Sequence, residues 1–119
     1  MFGYKMAQQT LEQPICEVYS DGTKRWFQNG KLHRIDGPAI ESPNGTKYWF
    51  QNDKRHRIDG PAVERSNGEK HWFQNGERHR IDGPAVEYSD GRKYWYIHGK
   101  QVTQQDIMKQ SSLILFFII

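Results

Sequence analysis

The sequence predicts an all-β protein of stacked β-hairpin repeats, arranged as an open, twisted antiparallel array with short terminal caps. A unit of 23 residues recurs along the chain, and its tryptophan returns as Trp26, Trp49, Trp72 and Trp95. Each unit contains two turn signals eight residues apart, as at Gly22 and Gly30. Asn-Gly and Asp-Gly pairs favour the positive φ angles of tight hairpin turns. The segment between the turns, such as "TKYWFQ", is rich in aromatic residues and threonine, which is typical of β-strands.

The repeat organises most of the chain. A half unit covers 14–22, full units cover 23–45, 46–68 and 69–91, and a partial unit covers 92–102. Among the full units, 14 of 23 positions are identical. Residues 1–13 and 103–119 fall outside the pattern, and we expect them to cap the repeat domain of 14–102, because an uncovered end of a repeat array exposes its core.

A charged heptad, "HRIDGPA", follows each full hairpin at 33–39, 56–62 and 79–85. Since proline cannot donate to a strand ladder, Asp-Gly-Pro predicts a bend or a strand edge there. Beyond the last unit, Thr103 with Asp106 three residues later predicts the start of a short helix. The apolar run Leu113–Ile119 is far shorter than the ~20 residues that span a bilayer. We expect it to pack on the last repeat, with a dimer contact or a weak membrane contact as alternatives.

The composition fits one small domain of 119 residues. Hydrophobic content is 35% and aromatic content 13%, so burial is expected to rest on aromatic rings rather than on aliphatic side chains. A net charge of +3 is too weak to indicate a nucleic-acid partner. Cys16 is the only cysteine, which excludes an internal disulfide. The first residues lack the basic start and apolar stretch of a signal peptide, and a cytoplasmic location, in a bacterium or a phage-infected host, is expected.

The heptad combines His, Arg and Asp, which are residues of catalytic and metal sites. A catalytic centre is normally built once, from residues in distinct roles. Equivalent residues of neighbouring hairpins lie two strand spacings apart, roughly 10 Å, so the three histidines cannot share one metal ion. We therefore predict a non-enzymatic protein with no catalytic residue, metal or cofactor.

The heptad is instead predicted to build the fold. The aspartate before Gly-Pro is expected to accept hydrogen bonds from the turn backbone, and the arginine to pair with acidic residues of the adjacent unit. The residues assigned to this structural role are His33, Arg34, Asp36, Gly37, Pro38, His56, Arg57, Asp59, Gly60, Pro61, His79, Arg80, Asp82, Gly83 and Pro84.

Two sets of residues are candidates for binding. Strand alternation places a lysine and a tryptophan of each unit on one face, as a stacking platform for bases or sugars or as a packed indole shielded by a lysine. This face consists of Lys24, Trp26, Lys47, Trp49, Lys70, Trp72, Lys93 and Trp95. A repeat scaffold typically keeps its frame and varies its binding surface, so positions that differ between units are candidates for partner binding. They are Arg25, Tyr48, His71, Tyr94, Arg55, Arg78, Arg65 and Tyr88.

The 23-residue period, the tryptophan and the recurring Asp/Asn-Gly turns resemble MORN-type repeats. The heptad is more similar still to the "HRxDGPA" repeat proteins of bacteriophages and giant viruses. The resemblance covers about Pro14 to Val102, although Asp-Gly-Pro stands where MORN repeats close with Gly-x-Gly. It implies stacked β-hairpins that act as a scaffold or binding surface. The phage association suggests a protein that engages a host component, such as an inhibitor of a bacterial defence complex of the CRISPR-effector type.

The leading prediction is a non-enzymatic repeat protein that binds another macromolecule, most readily a protein. Nucleic-acid or nucleotide binding through the lysine–tryptophan face is one alternative, although the full units carry +2, +2 and −2 when Lys and Arg are counted against Asp and Glu. A duplex-binding array would repeat its positive charge. Glycan or cell-wall binding by aromatic hairpins is the other alternative. Homo-oligomers could form through the exposed edges of the array or through Leu113–Ile119.

Overall fold

The computed structural model describes residues 13–109. The predictions for 1–12 and for 110–119, including the apolar run Leu113–Ile119, lie outside these residues. The described chain contains one short helix, residues 104–109, and short strands throughout. The strands are β1 Ile15–Val18, β2 Lys24–Gln28, β3 Lys31–Leu32, β4 Ile40–Glu41, β5 Lys47–Tyr48, β6 Phe50–Gln51, β7 Lys54–Arg55, β8 Val63–Glu64, β9 Lys70–His71, β10 Phe73–Gln74, β11 Glu77–Arg78, β12 Val86–Glu87, β13 Lys93–Ile97 and β14 Lys100–Val102.

One antiparallel sheet runs through all the units. Its strands follow the order β1-β2-β4-β5-β8-β9-β12-β13-β14, with β3 also paired to β2. The strands β6 and β7, and likewise β10 and β11, form separate two-stranded hairpins. Each internal unit therefore adds two strands to the main sheet and one hairpin beside it. The predicted all-β open array of hairpins is confirmed.

The tryptophan of each unit marks the crossing from the main sheet to the hairpin. The Trp49 N–H donates to the Ala62 carbonyl at 2.7 Å, on the main-sheet side, and the Trp49 carbonyl accepts from the His56 N–H at 3.1 Å, on the hairpin side. The predicted strand is continuous in β2 and β13 but is interrupted at Trp49 and Trp72 in the middle units. There the chain turns from one set of partners to the other.

The hairpin turns have the predicted left-handed geometry. Asn29 and Gly30 have φ of 53° and 75°, and Asn52 and Asp53 have 52° and 64°. Positive φ at both central residues is the signature of the type I′ turn, whose twist matches that of the flanking strands. The turn residues therefore set the register of each hairpin.

The two faces of the main sheet differ in chemistry. On one face, cross-strand register places Lys47 opposite both Glu41 and Glu64. On the other face, Val63 lies opposite Tyr48 and His71. Opposite charges and mixed aromatic and β-branched pairs both stabilise neighbouring strands.

The core was predicted to consist of aromatic rings, and this prediction is wrong. Ala62 is fully buried and Val63 is 2% exposed. Among the phenylalanine, tyrosine and tryptophan residues that the structure describes, only Phe73, which is 7% exposed, is buried. Tyr48 and Trp49 pack against this cluster while remaining half-buried. Small side chains therefore form the centre of the core, and the half-buried rings of Tyr48 and Trp49 pack around them.

The predicted start of a short helix at Thr103 is confirmed. The Asp106 N–H donates to Thr103 Oγ1, and the Thr103 N–H donates to Asp106 Oδ2, both at 3.1 Å. This reciprocal pair satisfies donors at the start of the helix. Within 13–109, no helix has the length and apolar character needed to cross a membrane.

Candidate functional site

The arginine of each heptad fixes the bend and covers the tryptophan of its unit. Arg57 donates from Nε to Asp59 Oδ1 at 3.2 Å and from Nη1 to the Pro61 carbonyl at 3.1 Å. Nη1 also donates to Glu64 Oε1 at 3.2 Å. The guanidinium carbon lies 4.0 Å from the centre of the Trp49 ring, which is within the range of a cation–π contact. Arg34 on Trp26 and Arg80 on Trp72 repeat the contact at 3.9 Å.

These contacts correct two expectations. The acidic partners of Arg57 belong to its own unit rather than to the adjacent one. Asp59 accepts from the arginine side chain rather than from the turn backbone. The bend brings the aspartate back beside the arginine two residues earlier, where the charged donor outcompetes a neutral backbone amide.

The glycine of the heptad is required by this arrangement. A Cβ on Gly60 would lie 2.7 Å from the guanidinium carbon of Arg57. Glycine therefore leaves the space in which the arginine reaches the Pro61 carbonyl. The requirement is steric, since Gly60 is not among the residues with positive φ.

The histidine of each heptad joins one unit to the next. His33, His56 and His79 accept, at Nδ1, the backbone N–H of the residue 19 positions later, at 3.1, 3.0 and 2.9 Å. A ring nitrogen accepts only while it is unprotonated. Burial, and then the charge of His98, lower the pKa of His79, while Glu77 acts in the opposite direction. The His79 and His98 ring centres are 4.3 Å apart.

These bonds keep the polar side chains of the heptad apart. The histidine bonds to the next unit, while the arginine and aspartate bond to each other within the bend. Among the residues that the structure describes, no three His, Cys, Asp or Glu side chains converge in the manner of a metal site.

On the lysine–tryptophan face, the cation over three of the tryptophan rings is a residue that neither sequence interpretation named. The cation that covers each of Trp26, Trp49 and Trp72 is the heptad arginine and not the lysine. The lysines instead alternate with glutamates across the sheet, in the order Lys24, Glu41, Lys47, Glu64, Lys70, Glu87, Lys93. The alternation follows from the identical Lys and Glu positions of each unit, which antiparallel pairing places opposite each other. Acidic groups therefore lie beside every internal lysine of this face.

Four of the variable positions lie on the opposite face of the main sheet, where register places Arg25, Tyr48, His71 and Tyr94 in one line across the strands, whereas Arg55 and Arg78 lie on the hairpin strands β7 and β11. Arg65 donates to the Tyr48 hydroxyl at 3.4 Å, and the Tyr88 and Tyr94 rings meet edge to face at 5.9 Å. Among the variable positions, Arg25, Arg55 and Arg65 are exposed. Arg78 and the three tyrosines are half-buried.

His71 is the exception among the variable positions. It is only 6% exposed and is therefore not a surface residue. Its Nε2 lies 2.6 Å from Glu69 Oε1, and the hydrogen bond from His71 lowers the pKa of Glu69. In this unit the variable position therefore contributes to packing inside the fold.

A row of exposed isoleucines is the surface feature that the sequence analysis did not select. Ile35, Ile58 and Ile81 are 75%, 77% and 69% exposed, and we call them the isoleucine row. The signal was present in the sequence: an identical aliphatic residue stands between Arg and Asp-Gly-Pro in every full unit. At the tip of a tight bend, such a side chain has no neighbouring element to pack against.

Equivalent grooves lie between successive bends. One of about 640 Å³ is lined by Ile35 and Asp36 of the first heptad, by Trp49 and Gln51, and by the second heptad. The next, of about 560 Å³, has the same lining one unit later. A smaller cavity of about 300 Å³ adjoins Ile35 on its other side, against Gln13 and Pro14. The array therefore presents one apolar side chain and one groove per repeat.

The groove walls carry exposed carboxylates. The side chains of Asp36 and Asp59 are both 87% exposed, whereas that of Arg57 is 23% exposed and is engaged with its ring and its acidic partners. The isoleucine row is thus apolar with an acidic border. Comparison with protein-family models, with curated proteins and with solved structures finds no match for this chain.

Proposed function

We propose that this chain is a non-enzymatic repeat protein that binds another protein along the isoleucine row. The observation that supports the proposal is the exposure of Ile35, Ile58 and Ile81, which are 69–77% exposed at the same position of three units. The three side chains are linked by the grooves that they line, and an exposed apolar patch with a polar border is typical of protein–protein interaction sites.

The remaining heptad residues have roles inside the fold. In the second unit, His56 and Arg57 form hydrogen bonds, and Gly60 makes room for the arginine. Ala62 is buried. Ile58 contributes little to packing, because most of its surface remains in water. An aliphatic side chain held in the solvent gains free energy only when a partner covers it, by roughly 1.5–3 kcal/mol for full burial.

The charge and aromatic patterns favour a protein over the alternatives. The lysines that could contact phosphates stand opposite glutamates, and the isoleucine row is bordered by carboxylates. The glutamates offset the charge of the lysines, and the carboxylates place negative charge beside the isoleucine row, so neither surface offers the uncompensated positive charge that a polyanion requires. One face of the Trp49 ring is occupied by Arg57, so that face is closed to the stacking of bases or sugars.

Affinity capture with matched variants tests the proposal. Tagged wild-type chain, the triple variant I35S/I58S/I81S and the control I15S/V18S are each incubated with bacterial lysate, the source suggested by the phage-type resemblance, with and without nuclease. The control replaces side chains of similar exposure on β1, since Ile15 is 71% and Val18 is 66% exposed.

We expect the wild type and the control to capture the same protein after nuclease treatment, and the triple variant to lose it. Equal capture by all three chains would contradict the proposed surface. Capture of nucleic acid that disappears with nuclease would contradict the proposed partner class.

A further inference from the structure

We propose that the partner presents to the isoleucine row an extended segment in polyproline II conformation, with an apolar residue at every third position and a basic residue beside it. This inference rests on the proposed function and deepens it by naming the shape and chemistry of the bound segment. It is supported by the spacing of the row, by hydrogen-bond donors in the grooves and by the charge of the groove walls.

The spacing selects the conformation of the ligand. Each internal unit adds two strands to the main sheet, and neighbouring strands lie about 4.8 Å apart, so successive isoleucines are roughly 10 Å apart. A polyproline II helix has three residues per turn and rises about 3.1 Å per residue, which repeats one face every ~9.3 Å. In a β-strand, side chains on the same face recur every ~6.7 Å, which does not match the roughly 10 Å between successive isoleucines. An α-helix with an apolar residue every seven positions repeats at ~10.5 Å and also fits the spacing.

Hydrogen-bond donors in the grooves separate polyproline II from the α-helix. Trp49 and Gln51 line the first groove, and Trp72 and Gln74 line the second. Within residues 13–109, the hydrogen bonds that the structure contains do not involve the indole N–H groups or the side-chain amides of these four residues. A polyproline II segment has backbone carbonyls without internal partners, whereas the carbonyls of an α-helix are bonded within the helix. Side chains that line each groove and carry donors without a partner among the described residues suit the former.

The walls of the grooves favour a basic residue beside each apolar one. Asp36 and Asp59 border the first groove, and Asp59 and Asp82 border the second. One oxygen of each aspartate accepts a hydrogen bond from the arginine of the same heptad, and a carboxylate has further acceptor sites. With side chains 86–87% exposed, these carboxylates can pair with cationic side chains of a partner.

Synthetic peptides provide the test on the full chain. The probe is a 12-residue peptide of four Pro-Leu-Arg triplets with blocked ends, whose length of about 37 Å in polyproline II conformation spans the whole row. One control peptide has the same composition with leucines at alternate positions, and another is an α-helical peptide with leucine at every seventh position and the same number of arginines. Binding is measured by titration calorimetry against wild type, I58S, I35S/I58S/I81S, D59N and the I15S/V18S control.

We expect the triplet peptide to bind the wild type and I15S/V18S equally and to bind about tenfold more weakly to I58S, since a tenfold change corresponds to the loss of about one partly buried aliphatic contact. D59N is expected to weaken binding and to reduce its dependence on salt. Both control peptides are expected to bind at least tenfold more weakly than the triplet peptide.

The outcomes distinguish this inference from the function on which it rests. If the alternating or the helical peptide binds as tightly as the triplet peptide, or no peptide binds while capture from lysate still requires the isoleucines, the polyproline II inference is overturned and the binding function stands. If peptide binding and capture are both unchanged in I35S/I58S/I81S, both fail. Self-association that depends on the isoleucine row would show that a second copy of the chain is the occupant, and would also overturn the inference.

Discussion

Removal of the heptad arginine is the most direct test of how this fold is held together. In Arg57→Ala, the hydrogen bond to the Pro61 carbonyl at 3.1 Å is lost, which leaves an acceptor without its charged donor and costs about 1.5 kcal/mol. The cation–π contact with Trp49 at 4.0 Å adds about 1 kcal/mol at a partly exposed position. The ion pair with the half-exposed Glu64 adds about 0.5 kcal/mol, and the pair with the exposed Asp59 adds nothing measurable. We expect the free energy of unfolding to fall by about 3 kcal/mol.

The assay is urea unfolding followed by far-UV circular dichroism and by tryptophan fluorescence. Arg34 and Arg80 make the same contacts in their units, so their alanine variants are expected to cost similar amounts. Arg57→Lys is expected to recover less than half of the loss, because lysine keeps the charge but lacks the planar fork that stacks and bonds at once.

Arg65 provides the matched control. It contacts Tyr48 and Glu69 at 3.4 and 3.7 Å, and its side chain is 43% exposed. Arg65→Ala should therefore cost less than about 0.5 kcal/mol. If Arg57→Ala costs no more than Arg65→Ala, the arginine does not stabilise the bend, and the reasoning is refuted.

Two further predictions concern the histidine and glycine of the heptad. Burial, and then His98, depress the pKa of His79, so the folded chain binds the proton less readily than the unfolded chain. This contribution to stability should be fully present above the unfolded value of about 6.5 and should be lost as the pH falls from there through the lower folded pKa. His98→Asn restores the asparagine of the other hairpin turns and should flatten this dependence, measured as urea midpoints between about pH 5 and 8; identical slopes would contradict the assignment. Gly60→Ala should cost about 1–2 kcal/mol by displacing Arg57, and should cost little more once Arg57 is already alanine. Gly45→Ala should cost about 1 kcal/mol in either background, because Gly45 has φ of +93° and open space around its Cβ position; equal coupling of both glycines to Arg57 would contradict the steric explanation.

The sequence predicted the repeat architecture because turn chemistry and period are local signals. Asn29-Gly30 and its equivalents require positive φ, and a tryptophan every 23 residues makes each unit a copy of the last. The cap at Thr103 was predictable for the same reason, since both partners lie within one helical turn. Features that depend on residues within a few positions of each other could therefore be predicted from the sequence.

The contacts of the candidate site depend on how distant parts of the chain meet, and sequence reasoning assigned several of them wrongly. That Arg57 rather than Lys47 covers Trp49 follows from the return of the bend over the sheet. Neither the repeat period nor the spacing of residues in the sequence predicts that the bend folds back over the sheet. That His71 is buried while Ile58 is exposed reverses the order expected from their polarity. Both exceptions follow from position, because His71 lies in the middle of the sheet beside Glu69, and Ile58 lies at the tip of a bend.

The bonds that fix each bend also bear on how the isoleucine row would bind. Ile58 lies between Arg57, which is stacked and hydrogen-bonded, and Asp59, which accepts from it. The His56 side chain and the Arg57 N–H both bond to the next unit. A backbone held from both sides loses little conformational entropy when a partner covers the isoleucine, and avoiding that ordering cost is how rigid surfaces gain affinity. Arg57→Ala should therefore weaken the binding of a partner, even though the Arg57 guanidinium stacks on Trp49 of its own unit. The exposed substitution Arg65→Ala should leave the affinity for the partner unchanged. If Arg57→Ala unfolds more readily but binds the partner unchanged, the rigidity of the bend contributes to stability alone.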